Sequence, residues 1–204
     1  MRVHVDTIEI DTAHGPARAH VSKVRRAVGA LVLGHGAGGG VGARDLTAAA
    51  EAAAAAGLSV ALVEQPYRVA GQRSPAPAPQ LDTAWAAVLA ELKAGPLRRL
   101  PIVTGGRSSG ARVACRTADE TGAAGVLCLA FPLHPPGRPE KSRLPELDGV
   151  SVPVLVVQGE SDPFGMPPPG ENRAVAKVRG NHSLSSDIVA LRGAVGEWLA
   201  ARVR

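Results

Sequence analysis

Five short runs of almost wholly apolar residues, 30–33, 59–63, 102–104, 126–130 and 154–157, constrain this chain more than any other feature. None alternates and none is long enough for a helix, so each fits a strand buried on both faces. Helical stretches lie between them. Residues 45–56 are alanine-rich and stop at Gly57, and residues 80–93 carry Leu81, Trp85, Val88, Leu89 and Leu92 on one stripe. Residues 109–121 and the closing segment 186–203 also read as helix, and 174–178 as one more strand. Apolar strands alternating with helices mean βαβ units and a mostly parallel sheet covered on both faces. The N-terminal stretch 3–24 differs. It alternates with period two through Val3, Val5, Ile8 and Ile10, breaks at His14-Gly15-Pro16, and alternates again, as two antiparallel edge strands would. The proline-rich stretches 66–79 and 132–147 are too short for domains and read as surface loops. The expectation is one three-layer α/β domain over 1–204.

Composition narrows the function classes. With 45% hydrophobic and 20% charged residues the chain has the balance of a soluble globule, not of a disordered segment. No apolar run approaches the roughly 20 residues of a membrane-spanning helix. The opening Met1-Arg2-Val3-His4-Val5-Asp6 is charged and alternating, unlike a signal peptide, and the two cysteines carry the expectation of a cytoplasmic protein. Cys115 and Cys128 lie in apolar segments without CxxC spacing and read as buried, reduced thiols. The net charge of +5 invites a nucleic-acid partner, but the basic residues are scattered and aromatics are only 2% of the chain. A base-stacking platform has almost no material here, so neither nucleic acid nor membrane is expected as a partner.

In a parallel α/β sheet, ligands bind beyond the carboxyl ends of the strands. The run 102–104 leads through Gly105-Gly106-Arg107-Ser108-Ser109-Gly110 straight into a helix, a G-x-S-x-G match in strand–turn–helix context. A serine at so sharp a turn needs small neighbours two residues either side, and its hydroxyl stands at a helix N-terminus that favours negative charge. After run 154–157 comes Gln158-Gly159-Glu160-Ser161-Asp162-Pro163, where Asp162 is the chosen acid and Glu160 and Asp148 are competitors. After 174–178 comes Arg179-Gly180-Asn181-His182-Ser183. Ser108, Asp162 and His182 thus occur in the chain order of α/β-hydrolase triads, each just past a strand.

Acyl transfer also needs two backbone N–H groups aimed at the tetrahedral oxygen. Ser109, which follows the serine, supplies one. The loop His35-Gly36-Ala37-Gly38 supplies the other, from Ala37 first and Gly38 second, with His35 as a hydrogen-bonding member of the loop. The same loop fits G-x-G-x-x-G, with Glu64 ending the next strand, as a dinucleotide site would. Against that reading, two strands precede the motif, Glu64 lies later than the usual spacing, and Ser108, Asp162 and His182 are left unexplained.

Along nearly its whole length the chain resembles an α/β-hydrolase with a mostly parallel sheet, antiparallel N-terminal edge strands and no cap domain. More narrowly, His35-Gly36-Ala37-Gly38, Glu64-Gln65-Pro66-Tyr67-Arg68, Gly105-Gly106-Arg107-Ser108-Ser109-Gly110-Ala111-Arg112, Phe131-Pro132-Leu133-His134-Pro135-Pro136-Gly137 and Gln158-Gly159-Glu160-Ser161-Asp162-Pro163-Phe164-Gly165 resemble a small cap-less family. That family includes dienelactone-hydrolase-like bacterial proteins, testis-expressed hydrolase-like proteins and a subunit of a eukaryotic histone-acetylation complex. The resemblance implies Ser108 as nucleophile, Asp162 as acid and His182 as base. Such chemistry on a small acyl substrate, an ester or thioester, requires neither metal nor organic cofactor. The sequence departs from many esterases at Arg107, before the nucleophile. Stretch 132–147 stands where lipases insert a lid and is too brief for one. Gly38, Arg68, Arg107 and His134 are candidate substrate contacts, and Arg68, Arg73, Arg107, Arg138 and Arg143 together would suit a carboxylate or phosphate. The other reading is a non-catalytic α/β-hydrolase-like interaction module.

Overall fold

The computed structural model describes residues 4–202. Eight strands form one sheet: β1 (Val5–Ile10), β2 (Ala17–Ser22), β3 (Gly29–Gly34), β4 (Leu58–Glu64), β5 (Ile102–Arg107), β6 (Gly125–Leu129), β7 (Val154–Gly159) and β8 (Arg173–Val178). Their order is β1-β2-β4-β3-β5-β6-β7-β8. β2 runs antiparallel to both β1 and β4, and every pairing from β4 through β8 is parallel. Six helices are α1 (Arg44–Ala55), α2 (Pro66–Val69), α3 (Ala78–Ala94), α4 (Ser109–Arg116), α5 (Leu144–Asp148) and α6 (Ile188–Ala200). The segment joining β6 to β7 carries only the five-residue α5, so among the described residues no cap covers the sheet's carboxyl end. This is the lid-less α/β-hydrolase architecture.

The apolar runs are sandwiched because successive side chains of a strand point to opposite faces. Leu31 and Leu33 of β3, Leu127 and Leu129 of β6, and Leu155 and Val157 of β7 pack with α1 and α6. Their neighbours Ala30 and Val32 face α3, while Val126, Cys128, Val154 and Val156 meet α4 and α5. α1 offers Ala48, Ala49, Ala52 and Ala53 to that core, small side chains that let the helix lie close to α6 and the sheet. On the other face, Arg116 holds Asp82 of α3 through two bonds of 2.8 and 2.6 Å, and Arg112 forks onto Glu146 of α5. Both arginines belong to α4, so the helix that begins at the serine is tied to its neighbours on either side.

Three local expectations need correction. Stretch 66–79 opens with a helical turn, because Pro66 at its first position gives up only an N–H that a helix start leaves unpaired. Stretch 132–147 ends inside α5, again with a proline in the first turn. α4 ends at Arg116, not at 121; beyond it the chain turns, and Gly122 has φ +56°. The thiols of Cys115 and Cys128 are free and buried as expected, but lie 3.5 Å apart; their mutual hydrogen bond and burial push the Cys128 thiol up. The expected strand and helix positions at Val3 and Val203 lie outside the described residues. Among the described residues no helix is long and apolar enough to cross a membrane.

Leu127→Ala tests the sandwich. Its side chain is fully buried, so truncation is expected to cost about 2–5 kcal/mol, read as a lower urea midpoint at unchanged slope. Val189→Ala, at a position 82% exposed, is expected to stay within about 0.5 kcal/mol of the parent.

Candidate active site

β5 ends at Arg107 and α4 starts at Ser109, so Ser108 alone makes the turn, with φ 53° and ψ −109°. For an L-residue that region costs about 1–3 kcal/mol and must be held by its surroundings. The Ser108 N–H donates to the Leu129 carbonyl at 2.9 Å, tying the turn to β6. A Cβ on Gly106 would stand 2.6 Å from the Gly34 carbonyl oxygen and 2.7 Å from the Gly110 carbonyl carbon. One on Gly110 would stand 2.6 Å from that same oxygen. Side chains are therefore excluded two residues either side of the serine, and β3 closes against the start of α4.

Ser108 meets the histidine and the acid. Its Oγ lies 2.9 Å from His182 Nε2, and His182 Nδ1 lies 2.8 Å from Asp162 Oδ2. A carboxylate only accepts, so Nδ1 carries the proton and Nε2 is left to accept from the serine hydroxyl. The Asp162 side chain is 1% exposed and also accepts from the Phe164 N–H and from Gln158 Nε2, both at 2.9 Å. The competing acids are elsewhere: Asp148 pairs with Arg173 and Glu160 is exposed.

Two residues that the sequence analysis did not single out complete this side. Gln158 is fully buried, and its Nε2 lies 2.9–3.0 Å from Asp162 Oδ2, the Phe131 carbonyl and the Gly165 carbonyl, so two hydrogens serve three acceptors. It joins the ends of β6 and β7 to the acid loop. The available signal was a lone polar residue closing the apolar run 154–157. Phe164 lays its ring 4.2 Å from the His182 imidazole, tilted 32°, and limits how far that ring turns.

The loop after β3 is held by His35 within it and by the segment that follows β4. His35 is buried; its Nδ1–H donates to the Gly36 carbonyl at 2.9 Å and its Nε2 accepts the Gln65 N–H at 3.1 Å. Burial lowers its pKa, favouring the neutral ring that these two bonds require. The Tyr67 hydroxyl donates to the Ala37 carbonyl at 3.0 Å. A trans peptide points its N–H opposite to its C=O. Fixing the Gly36 and Ala37 carbonyls therefore fixes the N–H groups of Ala37 and Gly38. Ser109 begins α4, so its N–H has no acceptor within the helix.

The candidate substrate contacts fall into different places. Arg107 turns its guanidinium to the protein: Nε donates to Asp45 Oδ2 at 3.2 Å and the terminal nitrogen Nη2 to the His182 carbonyl at 3.0 Å. Arg68 donates to the Gln72 carbonyl of its own loop, and Arg143 to the Pro132 carbonyl. Arg73 and Arg138 are exposed. His134 donates Nδ1–H to the Pro135 carbonyl and packs on Gly165, where a Cβ would stand 2.5 Å from its Nε2. Gly38 is exposed with open space beside it. Glu64, the acid of the dinucleotide alternative, is paired with His20 and Arg18 of β2.

A serine on a strand-to-helix elbow of a lid-less α/β sheet defines the class. Residues 27–187 match the family described as Alpha/beta hydrolase domain, and the chain belongs to that family. Solved structures share the fold. An alpha-beta serine hydrolase homologue from Coxiella burnetii superposes with TM-score 0.78 at 17% identity, covering 98% of this chain and 100% of that one. A serine hydrolase without lid from Xanthomonas campestris gives 0.73 at 20% identity, over 97% and 94% of the two chains. Dienelactone hydrolase from Anabaena variabilis gives 0.78 at 16%, over the full length of both.

Gly110→Ala is expected to destabilise by about 1–3 kcal/mol in thermal unfolding, because the added methyl meets backbone that has no room to move. His35 gives a pH signature. Its folded-state pKa lies below that of the unfolded chain, so the unfolded state binds the proton first as pH falls. Its contribution is present above about pH 6.5 and is lost as pH drops through that value toward the lower folded one. Urea titrations between pH 8 and 5 are expected to show a fall in stability that is smaller in His35→Asn.

Proposed function

We propose that the protein is a serine hydrolase that cleaves a small carboxylic ester, thioester or related acyl bond through an acyl-enzyme. The observation that carries this reading is the hydrogen-bonded chain Ser108–His182–Asp162, with spacings of 2.9 and 2.8 Å, built on a serine held at positive φ. His182 Nε2 takes the hydroxyl proton as Ser108 Oγ attacks the acyl carbon. Asp162, anchored by Gln158 and the Phe164 N–H, keeps the proton on Nδ1 and stabilises the imidazolium that forms. The N–H groups of Ser109 and Ala37, with Gly38 beside them, receive the charge that develops on the carbonyl oxygen. His182 then returns its proton to the departing alkoxide or thiolate. Water activated by the same imidazole releases the acid and restores Ser108.

The family and the fold of its solved neighbours support hydrolase chemistry. A neighbour from Butyrivibrio proteoclasticus, with TM-score 0.77 at 16% identity, was solved with ferulic acid bound. Ferulic acid is a carboxylic acid, the product side of ester cleavage. The short segment between β6 and β7 favours small or extended substrates reached without lid opening.

Intact-mass measurement with a fluorophosphonate tests the reading. One adduct is expected on the wild type and none on Ser108→Ala, with ester turnover in that variant lower by a factor on the order of 10⁴ to 10⁶. Asp162→Asn is expected to lose about 10⁴-fold in kcat because the wrong tautomer becomes available. Absence of an adduct on the folded wild type would overturn the hydrolase reading in favour of an interaction module.

A further inference from the structure

The side chain before the nucleophile does something that neither the family nor the triad specifies. Arg107 ends β5, and its guanidinium reaches one helix and two loops. Nε donates to Asp45 at the start of α1, and Nη2 donates to the backbone carbonyl of His182. The arm crosses Gly36 so closely that a Cβ there would stand 3.0 Å from Nη1 and 3.1 Å from Cδ. Gly36 carries the carbonyl that His35 holds, and it precedes Ala37. One planar, rigid donor group thus touches the histidine loop and the oxyanion loop from a strand end adjacent to the nucleophile.

Asp45 is the fixed end of this device. Its side chain is 3% exposed, and its other oxygen accepts the Leu46 N–H at 2.9 Å. A buried carboxylate that keeps only this partner is costly, so the pair holds together. The histidine loop needs such a tie. Gly180 and Leu184, either side of His182, both have positive φ, and the loop leaves β8 without regular structure before α6. Asp162 and Phe164 fix the imidazole ring, whereas the backbone that carries it is held from below by Arg107.

We infer that Arg107, clamped by Asp45, is a positioning residue that fixes the His182 backbone and the Gly36–Ala37 peptide relative to Ser108, and that it takes no part in binding substrate. The inference rests on the hydrolase reading for its effect on rate, but not for its effect on structure. Lysine in place of arginine keeps the charge beside Asp45, yet a single ammonium lacks the fork that spans a carboxylate and a carbonyl on different loops. Misplacement of about 1 Å costs on the order of 10²-fold in rate.

The test compares wild type, Arg107→Lys and the double variant Arg107→Met with Asp45→Asn, which leaves no unpaired charge buried if the lysine form folds poorly. Hydrolysis of a neutral and an anionic p-nitrophenyl ester is followed together with the ¹⁵N spectrum of the histidine side chains. Both variants are expected to lose about 10²-fold in kcat on both esters with KM unchanged. The His182 signal is expected to spread from one tautomer to a mixture. A rise in KM confined to the anionic ester would overturn the inference and make Arg107 a substrate contact. Wild-type kcat with an unaltered His182 signal would overturn it as well. The spectrum reads the loop without turnover, so a wild type that fails to react with fluorophosphonate removes the hydrolase reading while the positioning is still decided.

Discussion

Where β3 and β5 run into α4, the backbone of Gly34 lies so close to Gly106 and Gly110 that neither of those two can carry a Cβ. The rest of the site depends on this contact. It lets the chain reverse from strand to helix within Ser108, whose strained dihedrals are held by the bond to Leu129 and by the packing of α4 on the sheet. The hydroxyl is left above the strand ends because the turn has no other residue to display. The contact also brings the carbonyls of Gly34 and His35 against the first turn of α4, so that loop starts its course beside the serine. Strain in one residue is the local cost of close packing in three.

The second half of the site is organised around a buried amide instead of a buried backbone crossing. Gln158 sits in the last turn of β7 toward the acid and gathers the Phe131 and Gly165 carbonyls with the Asp162 carboxylate. A glutamate there would repel Asp162, and an aliphatic side chain would take this donor from the Phe131 and Gly165 carbonyls and from the carboxylate. Histidine placement is then determined from two directions. The carboxylate and the Phe164 ring set the imidazole, and Arg107 sets the backbone behind it. Because these groups come from β5, α1 and the loop that follows β7, the geometry of the serine–histidine pair is set from several elements and not by the histidine loop alone.

The strands were legible because burial on both faces leaves a mark that few other structures leave: a short apolar run without alternation. The strand ends are legible for the same reason, which is why Ser108, Asp162 and His182 stand out in the sequence alone. What escaped was whatever leaves no periodic mark. α2 and α5 have four and five residues, too few to repeat, and both carry a proline in the first turn, which in a composition-based reading counts toward a loop. Arg107 is a candidate substrate contact in the sequence because a sequence records that a long cation lies beside the nucleophile but not which way its arm turns. Its partner Asp45 lies 62 residues away in the chain and reads locally as a favourable acid in a helix's first turn. Gln158 and Phe164 lie inside the motif that suggested the acid, yet their work is to hold Asp162 and His182, and that appears only in three dimensions.

The arginines give a different account of the chain's charge from the one its composition suggests. Arg107, Arg112, Arg116 and Arg173 each direct the guanidinium to a carboxylate of the same chain, joining β5 to α1, α4 to α3 and α5, and β8 to α5. In all four the side chain is at most 26% exposed. Planar, forked donors suit this use better than lysine, because one side chain satisfies acceptors on two elements at once. A guanidinium held in that way has few N–H groups left for a phosphate. Paired in this way, the four arginines add nothing to the net charge of +5, which resides in other side chains, and the arginine nearest the reactive serine belongs to the internal ties of the scaffold and not to that excess.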